Sequence, residues 1–262
     1  MGLTLADLRA SVGQQFLDAE RRGLDFHPPG GESPRMVMMR LGDWIAASAI
    51  SVYISSPSLF RHFIKSLREG AILSSLRIAK LGAEQATSED FAAFQKHFPE
   101  DAIFVHTLGC SEAGNIAALR LSYGDRIHDG SLAAGKALKG MEVLLVDDDG
   151  KPVPLGATGE VVLHSRYLSA GYWRNDALTA ERFSADLDIP GVRIFRTGDL
   201  GRINADGDLE LRGRKDSLLK IRGYRVEPSE IENTIQSLSA VEKAAVYGIE
   251  DPQSHATRLG IL

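Results

Sequence analysis

The sequence predicts an α/β protein: a parallel sheet layer, then a small antiparallel β layer, then the start of an α+β unit. Three observations carry this. Between residues 50 and 109, apolar strand-like runs alternate with amphipathic helical stretches, as a parallel sheet requires. After residue 135 the pattern shortens to strands separated by turns, which suggests an antiparallel layer or small barrel. From residue 216 a strand, a helix and another strand follow in quick succession.

The elements follow in chain order. Residues 3–22 read as an amphipathic helix, with Leu5, Leu8, Val12 and Phe16 at helical spacing and Gly23 as C-cap. "HPPGGESP" (27–34) reads as a linker. "ISVYIS" (50–55) is a β-branched apolar run, predicted as a buried strand. Ser56 and Pro57 suit the N-cap and first position of a helix that Gly70 closes. "LRIAKLG" (76–82) is a second strand, and "TSEDFAAFQKHF" (87–98) a helix with a capping start, stopped by Pro99. "AIFVHTLG" (102–109) is the third strand.

Beyond residue 135, "MEVLLVDDDGKPVP", "GEVVLHS" and "GDLELRG" supply short strands, and "NDALTAERF" (175–183) a surface helix. "LLKIRGY" is a strand, Pro228 opens a helix, and "VEKAAVYGI" is a last strand.

Composition narrows the function classes. The 262 residues are 44% hydrophobic and 25% charged, the balance of an ordinary globular chain. A net charge of −5 gives no reason to expect a nucleic acid or an anionic membrane as partner. The single cysteine, Cys110, excludes an internal disulfide framework and fits a reducing compartment. No run approaches the roughly 20 apolar residues of a membrane span. A cytoplasmic location is the expectation, since "MGLTLADLRASVGQQ" does not resemble a signal peptide.

Several motifs are decoys. "GSLAAGKA" (130–137) approaches the phosphate-loop spacing, but Ala137 stands where a magnesium-binding hydroxyl belongs, and a strand follows instead of a helix. "DDDG" (147–150) lacks the alternating ligands of a calcium loop and reads as a hairpin turn. The seven histidines form no ligand-spaced cluster. Cys110 has no sequence-adjacent His or Lys to activate it and reads as a packed residue.

The chemistry concentrates in "FRTGDLGRINADGDLELRGRKDSLLKIRGYRVEPSEIE" (195–232). In "RTGDLG" a Thr-Gly-Asp turn would project Asp199 from a tight bend, where its carboxylate could accept two hydrogen bonds from adjacent ribose hydroxyls. On the hexapeptide alone, a turn aspartate capping its own backbone is the stronger reading. "NADGDLEL" reads as a hairpin, and "GRKD" offers Arg214 as a planar donor to phosphate or ribose oxygens. Lys220 follows in a glycine-kinked basic strand. Together these suggest a nucleotide handled near a hinge.

Here the sequence resembles the adenylate-forming enzymes, a superfamily that includes nonribosomal peptide synthetase adenylation domains, acyl-CoA synthetases and firefly luciferase. "LGCSEAGN", "GYWRNDALTAERF", "FRTGDLGR" and "LELRGRKDSLLKIRGYRVEPSEIE" carry the likeness, in the family's order, over roughly residues 40–262. "VYISSPSLFRHFIKSL", "RYLSAGYWRN" and "KIRGYRVEPSEIE" look most like amino-acid adenylation domains.

The resemblance implies a partial adenylate-forming fold: a partial large AMP-binding domain over 36–215, the start of an incomplete C-terminal lid over 216–262, and an unassigned helix and linker over 1–35. It implies that ATP and magnesium are used to activate a carboxylate, an amino acid by preference, for transfer to a thiol on phosphopantetheine or CoA. A carrier protein would be the partner. By resemblance, Asp199 binds the ribose and Arg214 supports it; Glu112 helps hold magnesium and Ser111 touches phosphate. Gly82, Ala83 and Glu84 pack against adenine, with Leu108 and Gly109 near it. Thr107, Asn115 and Ile116 line the side-chain pocket. Asp216 is the hinge, and Lys220 lies in the strand that turns toward the site.

Two departures stand out: Leu108 where the family often stacks an aromatic ring on adenine, and His106 where it often has Asn. The family's phosphate loop and catalytic lysine have no counterpart, and Lys136 falls in the wrong part of the motif order. The resemblance therefore leads us to expect a truncated portion, inactive alone. Alternatives are an acyl-CoA synthetase-type ligase or an inactive remnant serving as an interaction module.

Overall fold

The computed structural model describes residues 34–128, 130–215, 219–221, 224–226, 228–236, 241, 243–250 and 257–262. The expected helix at 3–22, most of the linker, and Asp216 lie outside them.

The first layer is built from helix α1 (Pro34–Ala47), strand β1 (Val52–Ser55), helix α2 (Pro57–Ser66), β2 (Ile78–Gly82), α3 (Ser88–His97), β3 (Ile103–Cys110), β4 (Gly114–Ser122) and β5 (Lys136–Ala137). Its five strands run in the order β1-β2-β3-β4-β5. Parallel pairing holds from β1 to β3, where helices supply the crossovers. β4 is antiparallel to β3, because only Ser111–Ala113 separate them and a parallel return needs a far longer crossover. The sheet is therefore parallel in one half only. The strand signal in "GNIAALRLS" was hidden by its small residues.

α2 starts as its sequence demands. The Ser56 side chain accepts a hydrogen bond from Leu59 N, and Pro57 occupies the first turn. It ends at Ser66 and not near Gly70 as expected. Leu67 turns extended and packs on the core, while Ser66 Oγ donates to the Phe63 carbonyl at 2.6 Å. Gly70 serves the next turn, with φ +73°.

α3 opens with a reciprocal capping box between Thr87 and Asp90. Asp90 is 1% exposed, and Arg61 of α2 grips both of its oxygens, at 2.7 and 2.8 Å. Thr87 N donates to the same carboxylate at 2.9 Å. One buried acid thus joins both helices. Beneath it lie Phe60, Phe63, Phe91, Phe94, Phe98 and Phe104, all essentially excluded from solvent. Burying each such ring contributes about 1.5–3 kcal/mol.

The second layer contains β6 (Glu142–Val146), β7 (Gly159–Ser165), α4 (Asp176–Arg182), β8 (Phe183–Ala185), β9 (Arg193–Ile203) and β10 (Leu209–Arg214). It is an open antiparallel sheet in the order β10-β9-β7-β6, with β8 on β9, and not a barrel. A second core of Leu108, Ile116, Val161, Leu163, Phe183, Phe195 and Leu209 lies between it and the β3–β4 hairpin.

The two sheets are stitched at Gly135. Ala134 N donates to Leu209 O at 2.7 Å, and Leu209 N returns the bond to Gly135 O at 2.9 Å. A Cβ at Gly135 would lie 2.2 Å from the Ala118 backbone, and its φ of +86° favours glycine as well. This is what "AAGKA" encodes: a sheet junction, with Lys136 in a two-residue strand. "DDDG" is a turn, closed by Gly150 N to Asp147 O at 3.1 Å.

The remaining elements are the paired strands β11 (Leu219–Ile221) and β12 (Tyr224–Val226), helix α5 (Pro228–Gln236), and the antiparallel pair β13 (Val246–Glu250) and β14 (Thr257–Ile261). Val246 N donates to Glu232 of α5 at 2.8 Å. Among the described residues, no helix is long and apolar enough to cross a membrane.

Removing the Asp90 carboxylate takes two hydrogen bonds from Arg61 and opens the capping box. Asp90→Ala is expected to lower folding stability by about 3–5 kcal/mol, read as a shifted urea midpoint. A loss below about 1 kcal/mol would mean that the pair is energetically idle.

Candidate functional site

A cavity of about 600 Å³ opens where the carboxyl ends of β2 and β3 meet the middle of β9 and the end of β10. That volume suits a nucleotide-sized ligand. β1 and the α2 N-cap contribute Ile54, Ser55 and Ser56; β2 and its following bend contribute Lys80, Gly82 and Ala83. The β3–β4 hairpin contributes Thr107, Gly109, Cys110, Ser111, Glu112, Gly114 and Asn115, and the second sheet Phe195, Thr197, Asp199 and Arg214.

Asp199 is not on a turn. It lies inside the continuous strand β9, where Gly198 takes φ +74° and the pairing with β7 slips by two residues. A bulge therefore aims it, and the strand continues on both sides. Arg214 is the direct cross-strand neighbour of Asp199. Its guanidinium pairs with the Asp199 carboxylate and also donates to Thr197 O at 3.1 Å. The fifteen-residue spacing is thus the length of the β9–β10 hairpin.

The same bulge is braced from behind. Thr197 Oγ1 donates to Val161 O at 2.7 Å and accepts from Asp199 N at 3.0 Å. Glu160, with its side chain 4% exposed, bonds Arg196 at 2.5 Å and Lys215 at 3.3 Å. Lys215 N closes onto Gly198 O at 2.8 Å.

Glu112 is 5% exposed and sits at the tip of the β3–β4 hairpin. Tyr172 Oη donates to Glu112 Oε1 at 2.9 Å, and Ser169 N donates to its main-chain carbonyl at 2.8 Å. "LSAGY" thus acts as a strap over the hairpin. Thr179 of α4 anchors it by accepting from Tyr172 N at 2.9 Å. Sequence reasoning did not assign this role to Tyr172; the phenol, 60 residues away in the chain, gives no local signal.

The cavity brings together Gly82, Ala83, Thr107, Gly109, Ser111, Glu112, Asn115, Asp199 and Arg214. Leu108 and Ile116 are not on its wall. They point into the second core, 7% and 1% exposed, because strand residues alternate faces and their neighbours Thr107, Gly109 and Asn115 take the cavity side. Glu84 is engaged elsewhere, capping α2: it accepts from Ser58 N at 3.0 Å and Ser58 Oγ at 2.9 Å. Lys220 lies in β11 opposite Arg225. Sequence reasoning missed Lys80, Thr197 and the serines of the α2 cap. Ala83 holds φ +69°, a conformation that costs a non-glycine residue about 1 kcal/mol or more.

Cys110 borders the cavity, yet burial and then the nearby Glu112 carboxylate push its thiol up to about 11. His106 is buried on β3, and loss of solvent drives its pKa below the ordinary value. Among the described residues, no three His, Cys, Asp or Glu side chains converge as a metal site.

Residues 21–173 match the family model described as "AMP-binding enzyme". The chain belongs to the AMP-binding enzyme family. It is 33% identical to surfactin synthase subunit 2 of Bacillus subtilis over 80% of this chain and 6% of that protein. The fold is similar to part of an artificially fused adenylation-PCP di-domain NRPS from Klebsiella oxytoca, with TM-score 0.70 and 23% identity over 90% of this chain and 42% of the other. It is also similar to an anthranilate CoA ligase solved with anthranoyl-AMP, with TM-score 0.58 and 27% identity over 88% of this chain and 41% of that one. The chain thus spans less than half of each solved relative and a small part of the synthase subunit.

Two outcomes follow from the buried groups of this AMP-binding fold. Cys110, the sole cysteine, should react with iodoacetamide at neutral pH at least about tenfold more slowly than a free thiol of pKa ~8.5. A normal rate by mass spectrometry contradicts the raised pKa. His106 is held neutral in the fold, whereas in the unfolded chain it takes up a proton below pH ~6.5. The unfolded state then binds more protons, so stability falls as pH drops from there toward the lowered folded value. The His106 contribution to the slope has an upper limit of about 1.4 kcal/mol per pH unit, and His106→Gln should remove it from urea titrations at pH 7 and pH 5.5.

Proposed function

We propose that this chain is the nucleotide-binding portion of an ATP-dependent ligase that activates a carboxylate, an amino acid by preference, as its acyl-adenylate with release of pyrophosphate. The thiol of a phosphopantetheine on a carrier protein is the proposed acceptor. The observation that carries this reading is the convergence of the Asp199–Arg214 pair with Ser111 and Glu112 on one cavity. Membership of the AMP-binding family supports it.

In this reading Asp199 accepts the ribose hydroxyls while Arg214 holds the carboxylate fixed in direction. Gly82 and Ala83 form the wall against which the base lies, and Ser111 donates to phosphate. Activation requires in-line positioning and charge neutralisation more than covalent help from the protein. Glu112 is a hard oxygen donor whose other contacts hold it rigid, so it fits one protein ligand of a magnesium ion otherwise bound by phosphates and water. Such an ion would neutralise phosphate charge.

Residues 36–215 are proposed as the part of the large domain that holds the nucleotide, and 216–262 as the beginning of a lid hinged at Asp216, with Lys220 on its site-facing strand. The isolated chain is proposed to bind nucleotide without turning over. A CoA-ligase reading is second; similarity to the anthranilate CoA ligase favours it.

AMP titrated into the chain by calorimetry should bind, and Asp199→Ala should weaken it at least tenfold, the loss of hydrogen bonds to a charged acceptor worth about 1.5–3 kcal/mol. Equal affinity in the variant removes Asp199 from the nucleotide site.

A further inference from the structure

The cavity carries one ammonium group that the nucleotide reading does not use. Lys80 lines the wall from the middle of β2, and among the described residues its ammonium donates to the Asn115 amide oxygen, 3.5 Å away. Among the described residues no carboxylate lies within ion-pair distance of it. The nearby acids are occupied in other ways: Asp199 with Arg214, Glu112 with Tyr172, and Glu84 with Ser58. The serine hydroxyls beside it are also engaged, Ser55 Oγ with Ser56 O and Ser56 Oγ with Ser58 Oγ.

A ligand that fills this cavity strips water from Lys80. A neutral or apolar group placed there leaves a desolvated ammonium uncompensated, which is costly. A carboxylate restores the lost solvation and makes a charge-assisted hydrogen bond. Asn115, on the same wall, also carries an amide N–H2 that can donate to a ligand.

We propose that the acid taken by this site carries a second carboxylate, and that Lys80, with Asn115 beside it, selects for that group. This rests on the proposed adenylating function and names the substrate class: dicarboxylic acids, acidic amino acids among them.

The test uses non-hydrolysable acyl-adenylate mimics, the aspartyl, glutamyl, leucyl and lysyl sulfamoyl-adenosines, titrated into the chain alongside AMP. The acidic mimics should bind roughly ten- to a hundredfold tighter than the leucyl mimic, the worth of one charge-assisted bond. Lys80→Met should erase that preference, Lys80→Arg should keep it, and Lys80→Glu should shift it to the lysyl mimic. These variants are read against one another, so a general loss of fold cannot imitate an inversion of charge preference. If AMP binds and the mimics bind alike, or if Lys80→Met keeps the preference, the assignment of Lys80 is overturned while the nucleotide site stands. If Lys80→Met weakens AMP as much as it weakens the acidic mimics, Lys80 meets phosphate and the selectivity claim fails. If neither AMP nor any mimic binds, the proposed function itself fails.

Discussion

The cavity exists because two sheets meet at one glycine. Ala134 and Gly135 exchange backbone hydrogen bonds with Leu209, and the Ala118 backbone leaves no room there for a Cβ. That junction holds the β3–β4 hairpin, which carries Ser111 and Glu112, against the β9–β10 hairpin, which carries Asp199 and Arg214. Neither sheet contains the site. A side chain at residue 135 would push the two hairpins apart and separate these groups before any of them was altered.

Around the junction, three buried acids and the half-buried Asp199 are each fixed by a partner from another segment. Asp90 is held by Arg61, Glu160 by Arg196 and Lys215, Asp199 by Arg214, and Glu112 by the Tyr172 phenol. Burying a carboxylate without such partners costs several kcal/mol. The arrangement therefore stabilises little by itself, but it leaves each acid one geometry. For Asp199 and Glu112 that is the requirement for meeting a ribose or a hydrated cation without reorganisation. Lys80 differs from these, because its complement among the described residues is only an amide.

Much of this was legible in local sequence. Ser56-Pro57 and Thr87 through Asp90 are capping signals that act within four residues, so the two helix starts were readable. Asp-Gly and Asp-Asp-Gly turns are equally local. The errors came where local and tertiary demands compete. "RTGDLG" has turn composition, yet β7 and β10 pair on both sides of it and hold it as a bulged strand. Gly70 is a good helix stop, yet Leu67 leaves the helix earlier to reach the phenylalanine core.

The sequence by itself determined the order of elements, the helix caps, the apolar faces and the motif chain that marks an AMP-binding enzyme, because each depends on neighbours a few residues away. Only the tertiary structure decided which motif residues share the cavity. Leu108 and Ile116 left it through strand alternation, Glu84 through a helix N-terminus that took its carboxylate; Lys80 entered it on the same strand as Gly82, and Tyr172 reached Glu112 from a segment remote in the chain. Such pairings depend on which faces of two sheets come together, and that is set by packing across the whole core.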